Sequence, residues 1–170
     1  MTGPRLKVPL VLLASLVAQG VVLPHVRVAD VRPDLLLLVA VAAGVSGGAL
    51  RGAAVGFVAG LLADLLFLET PLGLSALVFC LVGYAVGAVQ AGVLRSTWWL
   101  PLATALVASA GGEALFAVAG AIMGERDLVT SRLPLIMGVV GGMNAVLAIV
   151  VVPLVRGAFV EGSPRRAYAR

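Results

Sequence analysis

Long apolar runs, interrupted by single charges, glycines and prolines, set the pattern of this chain. Six of them stand out, at about 8–24, 33–50, 52–68, 72–94, 98–124 and 133–155. A membrane-crossing helix needs about 20 predominantly apolar residues, within a range of about 17–25. Each run meets that length, and the links between them are a few residues long. The expected architecture is an all-α integral membrane protein built as a six-transmembrane-helix bundle. One transmembrane domain spans 1–156, and a basic cytoplasmic tail occupies 157–170. The stretch 33–68 is apolar except at Asp34, Arg51 and Asp64. As one helix it would reach about 54 Å, against a hydrocarbon core of about 30 Å. It must therefore fold back, and Arg51 between Gly47, Gly48 and Gly52 is the expected reversal, leaving two minimal spans. Without that hairpin the count is five helices. The first run also has the Arg5 and Lys7 flank of a secretory signal, but it continues through Val21, Val22 and Leu23 to Pro24. A signal core usually ends after about 7–15 residues, so a retained first helix is expected.

Composition turns this reading into an exclusion. Hydrophobic residues make up 61% of the 170 positions and charged residues 12%, with a mean hydropathy of +1.13. Soluble domains carry about 25% charged residues, so a water-facing surface cannot be assembled from this chain. Usable chemistry is scarce: His25, Cys80 and Lys7 are the only residues of their kinds. A zinc site needs three or four converging ligands, and a P-loop needs a lysine in a glycine-rich context that Lys7 lacks. No cofactor or metal is expected. Net charge is +4, but the arginines lie singly between apolar runs, which fits a lipid bilayer rather than nucleic acid. In the six-helix arrangement one side holds Arg5, Lys7, Arg51, Arg95, Arg156, Arg165, Arg166 and Arg170. The other side holds Arg27, Arg32, Arg126 and Arg132. This eight-to-four split places both termini in the cytoplasm.

Small residues mark where helices meet in lipid, because close backbone approach replaces the missing hydrophobic drive. Gly52, Gly56, Gly60 and Asp64 recur at every fourth position and form one stripe. Ala40, Gly44 and Gly48 repeat the spacing, as do Gly83, Gly87 and Ala91, and also Gly138 and Gly142. An acid within a span is unfavourable by about 2.5–3.5 kcal/mol at the centre, so Asp64 faces the bundle or a partner, or else looks into water from the helix end. Glu113 lies eleven residues before Gly124, and Asn144 eleven after Leu133. Equal depth suggests a hydrogen-bonded clasp between them, with a proton or substrate site as the functional alternative. Gly44 to Gly48 spells a GxSxG nucleophile pattern around Ser46. A nucleophilic serine needs a base within about 3 Å, and His25 lies about 20 Å away in depth. Ser46 is expected to be a small packing residue.

The order of motifs from Pro33 to Gly87 resembles the rod shape-determining protein MreD family. The motifs are Pro33-Asp34 followed by four leucines, Gly56-x-x-x-Gly60-Leu61-x-x-Asp64, Pro71-Leu72-Gly73, and Gly83-Tyr84 ahead of Gly87. The patterned part covers about a third of the chain. The resemblance implies a non-enzymatic scaffold in the bacterial inner membrane, working with MreC, the MreB filament, and RodA with its class B penicillin-binding protein. It also implies a fold like that of the substrate-binding subunits of energy-coupling-factor transporters. The candidate partner or packing residues are Pro33, Asp34, Gly52, Gly56, Gly60, Asp64, Pro71, Gly73, Gly83, Gly87, Glu113 and Asn144. The alternative is a membrane transport subunit that binds a small molecule, for which Gln19, Ser46, Gln90, Glu113 and Asn144 would have to converge. A polar central cavity would favour transport, and a dry, glycine-packed centre would favour the scaffold.

Overall fold

A computed structural model describes residues 4–67, 71–91, 99–125 and 129–160. These residues form six α-helices: α1 (Pro4–Val21), α2 (Leu35–Gly47), α3 (Ala49–Leu66), α4 (Leu74–Ala91), α5 (Leu100–Ile122) and α6 (Leu133–Val160). A short 3-10 turn, Leu23–His25, follows α1. No strand is present among the described residues. The helix α6 runs past residue 156, and the basic residues Arg165, Arg166 and Arg170 lie outside the described residues, as do Arg95 and Arg126.

The helix α2 is the axis of the bundle. All nine residues from Leu36 to Gly44 are buried, and α2 packs against each of the other five helices. A helix that is apolar all round belongs in a core, which explains the unbroken Leu35–Val41 sequence. The fold-back expected within 33–68 is present, but its position is corrected. The chain reverses at Gly48, whose φ of +84° suits glycine. Arg51 instead lies in the first turn of α3, with its guanidinium 5.5 Å from the centre of the Phe159 ring on α6. The expected span 33–50 is corrected as well, since α2 has only 13 residues and is about 20 Å long.

Among the described residues, four helical stretches are long and apolar enough to cross a membrane: Lys7–His25, Ala49–Leu66, Leu100–Ile122 and Leu133–Phe159. The apolar helices Leu35–Gly47 and Leu74–Gln90 are shorter.

The hairpin of α3 and α4 is joined by glycine. A Cβ placed on Gly52 would meet the carbonyl of Gly83, one on Gly56 that of Phe79, and one on Gly60 that of Ser75. These pairings advance along α3 as they retreat along α4, which defines an antiparallel contact. On α4, a Cβ on Gly83 would meet the Gly52 carbonyl, and one on Gly87 the backbone at Gly48 and Ala49. Gly44 of α2 closes the triangle, with room for nothing between it and the Gly83 carbonyl. The stripe on α6 differs, for nothing lies within 4 Å of a Cβ on Gly138 or Gly142.

Two hydrogen bonds fix the depth of α2. Asn144 Nδ2 donates to the Asp34 carbonyl and to Ser109 Oγ, both at 2.9 Å. Ser109 lies near the middle of α5, and Asn144 lies eleven residues into α6. The first turn of α2 is thus recessed by about 16 Å from the start of α6. Among the described residues no helix fills the space above that recessed end.

Candidate functional site

Above the recessed end of α2 lies a cavity of about 450 Å3. Its floor is the start of α2, with Asp34, Leu36 and Leu37. The walls come from Gln19 of α1, Ala63 of α3 with Phe67 just beyond it, Ser75 and Phe79 of α4, Gly112, Glu113 and Phe116 of α5, and Ile136 and Val140 of α6. The loop Asp30–Pro33 forms one side, and exposed Asp30 stands at the mouth.

Each polar group on the floor has a local reason for its position. A helix leaves its first N–H groups without internal partners. Here the Leu37 N–H donates to Asp34 Oδ1 at 3.0 Å, a side-chain N-cap. The Leu35 N–H donates to Gln19 Oε1 at 2.8 Å, so α1 completes the cap from outside. Pro33, fully buried, fixes the approach of the chain into the helix. Gly112 lets α5 close on α2, since a Cβ there would stand 3.0 Å from the Leu37 side chain. Glu113 follows directly on the cavity wall. At the mouth, Arg27 pairs with Asp30 at 3.2 Å, and the Arg32 guanidinium sits 6.0 Å from the Phe67 ring centre.

The structure corrects the Glu113–Asn144 clasp. Asn144 spends its amide on Asp34 and Ser109, while Glu113 faces the cavity one turn further along α5. Ser109, fully buried, is the residue that sequence reasoning missed. Its position four before Glu113 was the available signal, because i and i+4 share a helix face. Asp64 is buried and faces the bundle. Its carboxylate accepts the N–H groups of Gly73 at 2.8 Å, and of Ser75 and Ala76 at 3.2 Å. It therefore caps α4 across the hairpin, so of the alternatives open in the sequence it takes the one facing the bundle rather than water. Pro71 and Gly73 shape the turn that presents those donors, Gly73 at φ +96°. Gly52, Gly56, Gly60, Gly83 and Gly87 line the contacts described above.

The five scattered polar groups do not converge. Gln19 and Glu113 line the large cavity, whereas Ser46 and Gln90 line a second one of about 90 Å3 at the other end of α2, beside Arg156. There Gln90 Nε2 donates to Thr104 Oγ1 at 3.1 Å. Asn144 lies between the two, with its Oδ1 buried and unpartnered. Ser46 is at the end of α2 opposite to His25, whose Nδ1 is 3.1 Å from the Val21 carbonyl. Among the described residues, the nucleophile pattern around Ser46 thus has no histidine or carboxylate beside it. Among the described residues no cluster of His, Cys, Asp and Glu could hold a metal ion.

A glycine-sealed hairpin beside a buried central helix, together with apolar helices of membrane-crossing length, defines a multi-pass membrane protein. Within that class, the family model for the rod shape-determining protein MreD matches residues 2–159, and the chain belongs to this family. The family assigns it a role in determining rod shape. Neither a curated protein nor a solved structure matches the chain significantly.

Proposed function

We propose that this protein is a non-enzymatic scaffold subunit of the bacterial cell-elongation machinery. In this reading it sits in the cytoplasmic membrane and binds MreC and RodA with its class B penicillin-binding protein, in connection with the MreB filament. The family match over residues 2–159 carries the reading. The chemistry supports it, because the polar groups in the bundle cap helices and join them rather than pair as nucleophile and base. The glycine-sealed contacts of α2, α3 and α4 supply rigidity. The proposal includes six spans, in an arrangement similar to that of the substrate-binding subunits of energy-coupling-factor transporters. The shorter α2 crosses within the shelter of the other five helices. It also includes cytoplasmic termini, favoured by the eight-to-four split of basic residues.

Co-purification from native membranes in mild detergent, with mass spectrometry of the partners, tests the proposal. MreC and the RodA synthase should be recovered in amounts that scale with this protein. Recovery of neither from membranes that contain all of them would reject it.

A further inference from the structure

We infer that the cavity above α2 is a binding site for a small organic monocation with an apolar or aromatic body. This goes beyond the scaffold role and rests on the geometry of the cavity itself. A volume of about 450 Å3 lies in the range of small-molecule pockets, about 300–1,000 Å3. Two carboxylates line its depth, Asp34 on the floor and Glu113 on the wall. Acidic groups within a membrane bundle sit where a partner can offset them. Asp34 accepts the Leu37 N–H, whereas Glu113 lines the open volume. Asp30 at the mouth is engaged by Arg27. No ion pair to Glu113 forms among the described residues, so a cationic guest is what would hold its carboxylate ionised.

The rest of the lining selects the chemistry. Phe79 and Phe116 line the cavity from α4 and α5, beside Phe67, whose ring already has the Arg32 guanidinium 6.0 Å from its centre. Aromatic faces attract cations within about 6 Å, and organic ammonium ions are the usual guests of such cages. A hard inorganic cation needs about six oxygen ligands, which this mostly apolar lining does not provide. An anion could pair with Arg32 but would face the carboxyls of both Asp34 and Glu113. A monocation whose charge reaches Glu113 and whose body lies among the phenylalanines satisfies both halves of the lining.

The test uses the full chain in lipid nanodiscs and measures binding of benzylammonium, benzyl alcohol and benzoate by calorimetry at constant salt. Benzylammonium should bind saturably at one site, at least tenfold more tightly than benzyl alcohol, with no binding of benzoate. Glu113→Gln, which keeps size and hydrogen bonding but removes the charge, should weaken benzylammonium at least tenfold. Ala63→Phe, which fills the cavity from α3 and leaves every charge in place, should abolish binding. Equal affinity for benzyl alcohol, unchanged binding in either folded variant, or competition by sodium at the same concentration as benzylammonium would overturn the inference. If Glu113→Gln does not fold, the neutral and anionic probes together with Ala63→Phe decide it. Partner recovery is a separate measurement, so this inference and the scaffold reading can fail independently.

Discussion

The Asp64 carboxylate takes three backbone N–H groups, those of Gly73, Ser75 and Ala76, at the start of α4. A buried donor that loses its acceptor is unfavourable by about 1–3 kcal/mol. Asp64→Ala should therefore destabilise the protein by at least that amount in thermal unfolding, and Asp64→Asn, which keeps one acceptor oxygen, by less. Gly73→Val should add about 1–2 kcal/mol of destabilisation, because the φ of +96° is unfavourable for any side chain and most for a branched one. Asn144 allows a sharper test. A double-mutant cycle between Ser109 and Asn144 should give a coupling of about 0.6 kcal/mol, with an upper bound of about 1.7, whereas one between Glu113 and Asn144 should give a coupling near zero. Counting residues from the helix ends set Glu113 and Asn144 at equal depth, and the count was good to about one turn. That one turn is the difference between Glu113 and Ser109, and only the packed register of α5 on α6 resolves it.

Among the helices, identical spacing carries two different meanings. The α3 stripe of Gly52, Gly56 and Gly60 is pressed against the backbone of α4, while Gly138 and Gly142 of α6 face open space. Gly60→Ala should destabilise the bundle by about 1–3 kcal/mol through overpacking. Gly138→Ala should leave stability unchanged or raise it by up to about 1 kcal/mol, as the gain in helix propensity predicts. Unfolding in denaturant measures both. The α3 stripe was legible because it ends in an acid and has a matching series, Gly83 and Gly87, in the next helix. The reversal before α3 was legible to within three residues, Gly48 rather than Arg51. The shortness of α2 was hidden, since leucine and valine read alike whether they face lipid or lie inside a bundle. Gln19 was equally opaque as a cap for Leu35, sixteen residues away in sequence.

For the whole molecule, the distribution of Arg and Lys leads to a topology prediction. A reporter active only in the cytoplasm should work when fused after Arg170 and fail when fused after Ala29. Termini on opposite sides would contradict the six-span arrangement. The recessed start of α2 has an electrical consequence. Where water fills the cavity above it, the insulating layer at the centre of the bundle is reduced to the length of α2, about 20 Å rather than about 30 Å. A membrane voltage then falls across a shorter path, and the local field is about half as strong again as in the surrounding lipid. Moving one elementary charge through the full potential is worth about 2.3 kcal/mol per 100 mV. Most of that drop lies below Asp34 and little lies above it, so a charge in the cavity is, electrically, almost in the water on the side to which the cavity opens.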